Sequence, residues 1–251
     1  MITAIHSNKA VVVSDLHLGN PFSNKKSEFV KFLRWAAKND YDIIMNGDGL
    51  EIAQASFDKI AQDLPEVLQV LREVSAMGKN IYYVVGNHDI ALEHFLEDWG
   101  AVKVSPFLNL SCDVQSHPDS DFKKRIRIEH GHLYDPFFVK HPIAYEFLTR
   151  VAGLFLKLSP KLYRGWIMWE KYLAYRRWKK TGIMGEPAEF AVAALELSRR
   201  GFDSVIFGHT HHRGDVTPAN NKKYFNSGSW MISCHYLEII NGQITSKNWT
   251  K

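Results

Sequence analysis

Acidic, amide and imidazole side chains occur in five short clusters, each placed directly after a run of apolar residues. In chain order the clusters hold Asp15 with His17, Asp48, Asn87 with His88, His130 with His132, and His209 with His211. Carboxylate, amide and imidazole groups without a thiolate suit Mn²⁺, Fe²⁺ or Zn²⁺ better than a soft metal or a purely calcium site. The set is larger than one ion needs. It therefore predicts two divalent ions that share a bridging carboxylate and hydrolyse a phosphate ester or anhydride.

The apolar runs before these clusters are predicted to be buried strands. They cover residues 10–14, 41–45, 80–85, 125–129 and 203–207. Helical patterns over residues 25–39 and 57–77 separate the first three strands, which predicts crossover connections and a largely central sheet covered on both faces. Loops converge at the carboxyl edge of such a sheet, so the five clusters are expected to meet there.

Closely spaced strands are also predicted near the C-terminus, over residues 223–226, 231–239 and 243–248. Their spacing indicates an antiparallel continuation, which makes the whole a layered α/β sandwich. Three glycines directly precede candidate ligands: Gly47, Gly86 and Gly208. We expect each of them to supply backbone angles that turn the chain sharply at a strand end.

Residues 135–200 break the alternation of strands and helices. They contain helical patterns at 143–158, 162–180 and 187–200 and no convincing strand pattern. We interpret the chain as a single domain over residues 1–251 with a helical insertion at approximately 135–200.

The insertion also differs from the rest of the chain in charge. Residues 140–181 carry ten Lys or Arg and two acids, a net charge of +8, whereas the chain as a whole carries +4. Aromatic residues lie between these bases. That composition suits the surface of an anionic membrane or a nucleotide-lipid. A packed helical subdomain with a solvated basic face is the alternative interpretation.

Composition bounds the class of protein. Hydrophobic residues make up 45% of the chain and charged residues 23%, as in an ordinary globular protein. The two cysteines, Cys112 and Cys234, lie far apart, which indicates no disulfide framework and a reducing compartment. No signal peptide pattern opens the sequence and no apolar run is long enough for a membrane span, so we expect a cytoplasmic protein.

The five clusters, read as motifs, resemble those of the calcineurin-like metallophosphoesterase family. The motifs are Asp15-Leu16-His17, Gly47-Asp48, Gly86-Asn87-His88-Asp89, His130-Gly131 and Gly208-His209-Thr210-His211, in the family's order. The resemblance implies a four-layer α/β/β/α sandwich with two divalent ions. It implies Asp15, His17, Asp48 and His211 around one ion, and Asp48, Asn87, His130 and His209 around the other.

The same resemblance implies the groups that act on the leaving group. His88 would donate a proton or a hydrogen bond to the leaving-group oxygen, and Glu51 would orient His88 and keep it acidic. His130 is preferred to His132 as the ligand because the family's motif is His-Gly followed by a variable residue.

A closer resemblance is to the branch of UDP-2,3-diacylglucosamine pyrophosphatases of lipid A biosynthesis. Chain length, the Asp-Leu-His-Leu-Gly start, the acid three residues after Asp48 and the helical insertion are similar, although that branch typically has Arg in place of His88. The implied reaction is hydrolysis of UDP-2,3-diacylglucosamine or a similar nucleotide-lipid by a metal-bridging hydroxide. Mn²⁺ is the implied ion, with Fe²⁺ and Zn²⁺ as alternatives. The insertion would be a lid over acyl chains, peripheral to the inner membrane. The predicted substrate contacts are Trp166, Trp169, Arg176, Arg177 and Arg213.

Other functions fit parts of the pattern. The wider family includes phosphomonoesterases, phosphodiesterases and nucleases, and a basic aromatic segment also suits single-stranded nucleic acid. A non-catalytic metal-binding scaffold is a further alternative, although such a protein would be expected to have lost His88 or a ligand. Arg213 contacts a substrate phosphate in our interpretation, but it could instead pair with Asp215.

Overall fold

The computed structural model describes residues 3–95, 100–114, 122–216 and 223–250, apart from residues 160, 163, 166, 167, 170, 171, 173, 174 and 177–186. Its strands are β1 (Ala4–His6), β2 (Lys9–Val13), β3 (Asp42–Asn46), β4 (Ile81–Val84), β5 (Lys103–Ser105), β6 (Leu108–Asp113), β7 (Lys123–Ile128), β8 (Ser204–Phe207), β9 (Arg213–Val216), β10 (Lys223–Ser227), β11 (His235–Ile240) and β12 (Gln243–Asn248). Its bounded α-helices are α1 (Lys26–Lys38), α2 (Phe57–Ala76), α3 (Pro136–Lys140), α4 (Pro142–Leu158), α5 (Ala188–Arg199) and α6 (Trp230–Ser233).

The strands form two six-stranded sheets. One sheet has the order β12-β11-β2-β3-β4-β5, and the other has the order β1-β6-β7-β8-β10-β9. Strands β2 to β5 run parallel, whereas β11 pairs antiparallel with β2. In the second sheet β7, β8 and β10 run parallel to one another. The strands that precede the five clusters are therefore divided between both sheets, and their carboxyl ends point the same way within each sheet.

The apolar sequence of β2 shows why the layers form. Val12 is buried with Ile44 and Ile206 in the core that lies between the two sheets. Its neighbours Val11 and Val13 belong to the core on the opposite face, which α1 and α2 cover. A strand buried on both faces needs an unbroken apolar run rather than alternation, and β2 has one.

The second sheet has a helical cover of its own. Phe190 on α5 packs with Phe207 on β8 and Tyr224 on β10 in a separate buried cluster. Helices thus flank the stacked sheets on both outer faces, which confirms the predicted four-layer α/β/β/α sandwich. The largely central sheet indicated by the first strands is one of two stacked sheets, and the strands that precede the five clusters are divided between them.

The predicted strand over residues 231–239 is also wrong at its start. Residues Trp230–Ser233 form α6, Cys234 has a left-handed backbone with φ 49°, and β11 begins only at His235. The reason is the burial of Trp230. Its indole ring lies 5.3 Å from Phe29 and 4.8 Å from Phe32, ring centre to ring centre, and a helical turn directs it there.

The segment between β7 and β8 contains α3, α4 and α5. The described residues between 161 and 176 are helical as well. Large apolar side chains of α4 remain exposed, among them Ile143, Phe147 and Leu158. Within the described residues, no helix combines the length and apolar composition needed to cross a lipid bilayer.

Candidate metal centre

Loops at the ends of five strands bring the predicted ligands together. Asp15 and His17 follow β2, Asp48 follows β3, Asn87 follows β4, His130 follows β7, and His209 and His211 follow β8. The two sheets are fastened to each other at this edge, because His130 Nδ1 lies 2.8 Å from the carbonyl oxygen of Asn46. Most of the cluster is buried, with Asp15 at 0% and Asp48 at 1% exposure.

The backbone of these loops is unusual. Five of the seven predicted ligands have left-handed angles: Asp15 (φ 55°), His17 (φ 50°), Asp48 (φ 52°), His209 (φ 66°) and His211 (φ 60°). Such a conformation costs an L-residue other than glycine about 1–2 kcal/mol. Strain of this kind collects where the surrounding structure holds residues in place for a function.

Distances between side chains place Asp15, His17 and His211 in one group and Asp48, His130 and His209 in another, with His17, Asp48 and His88 forming a third group between them. In the first group, His211 Nε2 lies 3.0 Å from Asp15 Oδ1 and 3.4 Å from His17 Nε2. In the second, His130 Nε2 lies 3.2 Å from Asp48 Oδ2, and His209 joins the same group. Asp48 Oδ2 is also 4.0 Å from His17 Nε2, so Asp48 lies between the groups, as a bridging ligand requires.

Polar atoms without a well-aligned hydrogen bond show that the cluster fits cations. Both carboxylate oxygens of Asp15 and Nε2 of His130 are buried, and although imidazole and carboxylate atoms lie nearby, none of the three makes a well-aligned hydrogen bond. Burial disfavours the charged form of Asp15, but His211 and His130 outweigh it and lower the pKa of that carboxyl group. Burial likewise opposes a charge on His130, yet Asp48 raises its pKa to about 9. A divalent cation that replaced the imidazole protons would take up both the carboxylate charges and the imidazole lone pairs.

Glu51 lies between two imidazoles. Its Oε1 is 2.5 Å from His88 Nδ1 and its Oε2 is 2.8 Å from His17 Nδ1. Burial opposes the ionised form of Glu51, but the charges of His88 and His17 lower its pKa. Burial also opposes a charge on His88, and Glu51 and Asp48 overcome it and raise the pKa of His88 to about 10. The predicted contact between Glu51 and His88 is present. The second contact, to the candidate ligand His17, was not foreseen from the sequence.

Asp89 holds two of the motif loops together, a role that sequence reasoning missed. Its carboxylate accepts hydrogen bonds from the backbone of Gly49 at 2.8 Å and of Gly86 at 2.7 Å, and from the hydroxyl of Tyr83. Burial and the charge of Asp48 raise the pKa of Asp89 to about 6. The sequence signal was its place directly after Asn87-His88, where an acid with no ligand role calls for a structural one.

The motif glycines act mainly through close approach. Gly47 has φ 81° and turns the chain as expected. That explanation is wrong for Gly86 and Gly208, neither of which has a positive φ. A Cβ atom on Gly86 would lie 2.2 Å from Asp48 Oδ1, and one on Gly208 would lie 3.1 Å from Ser14 Oγ. These positions need glycine because a ligand loop passes against them.

His132, the second imidazole of the His130 motif, is buried beside the centre. Its ring centre lies 5.7 Å from that of His130, and Phe138 contacts it edge-on. It belongs to none of the ligand groups found among the described residues. Burial and the nearby charges of His130 and His209 lower its pKa to about 3, so it is neutral.

The C-terminal strands close the cluster from the side. Asn226 Nδ2 donates to the carbonyl oxygen of Gly208 at 3.0 Å, and Ser14 Oγ lies 2.8 Å from Ser227 Oγ. The backbone N–H of Met231 donates to the carbonyl oxygen of Asp15. These contacts hold the strained Asp15 loop in place.

The predicted substrate contacts are only partly described. Trp169 lines a cavity of about 370 Å³ together with Phe155, Leu162 and Gly165. Arg176 is exposed on the helical segment. Arg213 opens β9, and its side chain, like Trp166 and Arg177 altogether, lies outside the described residues.

Two contacts from the β7–β8 segment to candidate ligands were not predicted. Asp135 Oδ2 lies 3.0 Å from His209 Nε2, and Asn87 Nδ2 donates to the hydroxyl of Tyr145 at 2.7 Å. Asp135 could have been singled out as a helix N-cap, because Pro136 follows it. Nothing in the local sequence connects Tyr145 with Asn87.

A two-sheet α/β sandwich with paired Asp and His groups at its strand ends defines a class of metal-dependent phosphoesterases. Residues 9–213 match the family model described as calcineurin-like phosphoesterase. The chain belongs to this family and is a hydrolase that acts on phosphate esters. A dinuclear divalent metal centre is typical of the family, and the ligand groups described above are candidates for it.

The chain is similar to several solved structures at low sequence identity. A dimetal phosphatase from Danio rerio is 12% identical, with 96% of this chain and 95% of that chain covered and a TM-score of 0.50. A phosphopantetheinyl hydrolase from Mycobacterium tuberculosis is 16% identical, with 88% and 91% covered and a TM-score of 0.40. Vacuolar protein sorting 29 from Cryptosporidium parvum is 14% identical, with 98% and 100% covered and a TM-score of 0.44. No curated protein sequence matches the chain.

Proposed function

We propose that this phosphoesterase uses two divalent ions, Mn²⁺ in the first instance, to hydrolyse the pyrophosphate of UDP-2,3-diacylglucosamine or a similar nucleotide-lipid. The observation that carries the metal-dependent chemistry is the position of Asp48, whose Oδ2 lies 3.2 Å from His130 Nε2 and 4.0 Å from His17 Nε2. One carboxylate thus serves two ligand groups. Asp15, His17, Asp48 and His211 would hold one ion, and Asp48, Asn87, His130 and His209 the other.

Bound ions would supply the positive charge that activates water and neutralises charge on the phosphate oxygens. His88 would donate a proton or a hydrogen bond to the leaving-group oxygen, where negative charge develops as the bond breaks. Its Nδ1 is turned to Glu51 at 2.5 Å, which leaves Nε2 to face the leaving group. Glu51 keeps the imidazole protonated near neutral pH by its negative charge.

Apolar surface on the β7–β8 segment favours a lipid substrate within this class. Phe155, Leu162, Gly165 and Trp169 line a cavity of about 370 Å³. An acyl chain would fill such a space by burying apolar area. The charge of +8 over residues 140–181 would attract both a nucleoside diphosphate and an anionic membrane surface. The segment would then act as a lid at the inner membrane, with the protein on the cytoplasmic side.

A substrate panel tests the proposal. Protein reconstituted with Mn²⁺ is assayed on UDP-2,3-diacylglucosamine, bis-p-nitrophenyl phosphate, p-nitrophenyl phosphate and short single-stranded DNA. We expect release of UMP from the lipid, and loss of activity in Asp48→Ala. Asp42→Ala is the matched control, since Asp42 accepts from the backbone of Asn80 at the other end of the same strand.

The panel also separates the alternatives. Hydrolysis of the aryl diester alone would leave the phosphoesterase chemistry in place and overturn the lipid substrate. Cleavage of DNA would favour a nuclease. If the lipid is the substrate, Trp169→Ala should raise KM for it several-fold and leave the aryl diester unaffected, because the aryl diester has no acyl chain to place in the cavity.

A further inference from the structure

Two residues of the β7–β8 segment hold candidate ligands of the same proposed ion. Asp135 Oδ2 lies 3.0 Å from His209 Nε2, and Asn87 Nδ2 donates to Tyr145 at 2.7 Å. His209 and Asn87 also contact each other, with 2.8 Å between Nδ1 and Oδ1. Both contacts therefore involve candidate ligands of the ion position formed by Asn87, His130 and His209. At the other ion position, Glu51 contacts the candidate ligand His17 instead.

The carboxylate of Asp135 joins an imidazole to the start of a helix. Its Oδ1 accepts from the backbone N–H groups of Phe137 at 2.8 Å and Phe138 at 3.4 Å, which caps α3. Its Oδ2 accepts from Nε2 of His209. A carboxylate at Nε2 fixes the proton there, so Nδ1 keeps its lone pair for a metal ion. One side chain thus sets both where α3 begins and which nitrogen of His209 is available.

Tyr145 acts on the amide of Asn87 in a similar way. Its hydroxyl accepts a hydrogen bond from Asn87 Nδ2, so the amide nitrogen faces Tyr145. The amide oxygen Oδ1, which a metal ion prefers as a ligand, therefore faces His209. Tyr145 lies on α4, and its ring packs against Phe138 on α3 with 5.0 Å between ring centres. Helices α3 and α4 are therefore packed together and reach the centre through this pair of contacts.

We propose that Asp135 and Tyr145 are positioning residues that couple occupancy of the ion position formed by Asn87, His130 and His209 to the docking of α3 and α4. The proposal rests on the dinuclear centre of the proposed function. In physical terms, an ion that fixes His209 and Asn87 also fixes the two donors that Asp135 and Tyr145 accept from, and binding free energy is shared between the two events.

Asp135→Asn isolates the effect on the imidazole. Asparagine caps a helix as well as aspartate does, so α3 should keep its start. With its carbonyl oxygen used for the cap, the amide NH₂ faces Nε2 of His209, and the imidazole proton moves to Nδ1. Titration with Mn²⁺ alone, followed by electron paramagnetic resonance, should show two coupled ions in the wild type. In Asp135→Asn, we expect the second ion to bind about 10- to 100-fold more weakly and a mononuclear signal to persist.

Hydrogen exchange of α3 and α4 gives an independent readout. Addition of Mn²⁺ should slow amide exchange over residues 136–158 in the wild type, and this response should be lost in Asp135→Asn and reduced in Tyr145→Phe. Asp42→Asn, which changes a carboxylate that accepts from the backbone of Asn80 instead, should respond like the wild type. Wild-type affinity for both ions with an unchanged exchange response in Asp135→Asn would overturn the coupling alone. A wild type that binds no Mn²⁺ would overturn the dinuclear centre as well.

Discussion

Glu51 is one carboxylate that serves two imidazoles with different proposed roles. His17 is a candidate ligand and His88 a candidate acid, and Glu51 contacts both at 2.8 Å and 2.5 Å. A single negative charge therefore supports metal binding on one side and proton donation on the other. The two effects can be separated by experiment, because they are read out by ion affinity and by the pH dependence of turnover.

His88→Ala removes the proposed proton donor and spares the ligands. The backbone N–H of residue 88 donates to Asp48 Oδ1 at 2.9 Å, and alanine keeps that hydrogen bond. We expect kcat to fall by about 10²–10⁴, the usual contribution of a general acid, with ion content unchanged. Substrates whose leaving group needs no proton should lose less. Equal loss of ions and turnover, measured by elemental analysis and kinetics, would contradict the assigned role.

Glu51→Gln should move the alkaline limb of the pH profile. A group that must be protonated gives full activity below its pKa and loses it as the pH rises through that pKa. Burial lowers the pKa of His88 and Glu51 raises it, to about 10 with Asp48. Neutral glutamine removes the largest raising charge, so the decline of kcat/KM should begin at lower pH than in the wild type.

Glu73→Gln is the control for this change. Glu73 lies on the exposed face of α2, and among the described residues Arg34 is the cation that its carboxylate pairs with. Its pH profile should match that of the wild type. Profiles of Glu51→Gln that overlay the wild type would show that Glu51 does not set the proton affinity of His88.

At the scale of elements, the close approach of the loops after β3 and β4 determines where Asp48 lies. A Cβ atom on Gly86 would be 2.2 Å from Asp48 Oδ1 and 2.5 Å from its backbone nitrogen. Gly86→Ala should therefore displace Asp48, lower the free energy of unfolding by about 1–3 kcal/mol and reduce the affinity for both ions. Thermal melting with and without Mn²⁺ measures both effects.

Gly165→Ala is the matched substitution, because a Cβ atom there meets nothing within 4 Å. It should leave melting and ion binding unchanged. If Gly86→Ala binds two ions with wild-type affinity, the loops must be able to separate without moving Asp48, and the packing explanation fails.

Strands with unbroken apolar runs were predicted well from the sequence. Residues 10–14 and 203–207 correspond to β2 and β8, because burial on both faces leaves a pattern that local sequence displays. Strand β6 was missed although its residues alternate between buried and half-buried, since Ser111 and Asp113 weaken the apolar signal. The two sheets were expected only from the family resemblance, and the strands in each could not be assigned from local sequence, because sheet membership depends on pairings distant in the chain, such as β1 with β6.

In the candidate site, too, local sequence patterns were predictable and contacts between distant residues were not. Motif residues could be named from their places after strands, whereas Asp135 and Tyr145 could not, since their partners lie 74 and 58 residues away in the chain. The single domain over residues 1–251, the insertion at approximately 135–200 and the roles of the site residues stay predictions.

At the scale of the whole molecule, the candidate metal centre contains residues from both sheets. Asp15, His17 and Asp48 follow strands of one sheet, and His130 and His209 follow strands of the other. Ions held by both sets would cross-link the sheets at the edge where buried carboxylates otherwise face one another. An ion that binds the folded state but not the unfolded state adds about 4 kcal/mol of stability when the free ion concentration is about 1,000 times its Kd.

Removal of the ions should therefore lower Tm markedly. For a chain of this size, about 1 kcal/mol shifts Tm by roughly 2–4 °C, so chelation should lower Tm by roughly 10 °C for each ion removed. Differential scanning calorimetry in Mn²⁺ and in chelator measures the shift. Asp48→Asn should melt at nearly the same temperature in both, because without the shared carboxylate neither ligand group is complete. A shift of wild-type size in Asp48→Asn would mean that the stabilising ions bind elsewhere, and that the sheets are held together at this edge by the apolar core and by polar contacts such as Asn46–His130 and Ser14–Ser227.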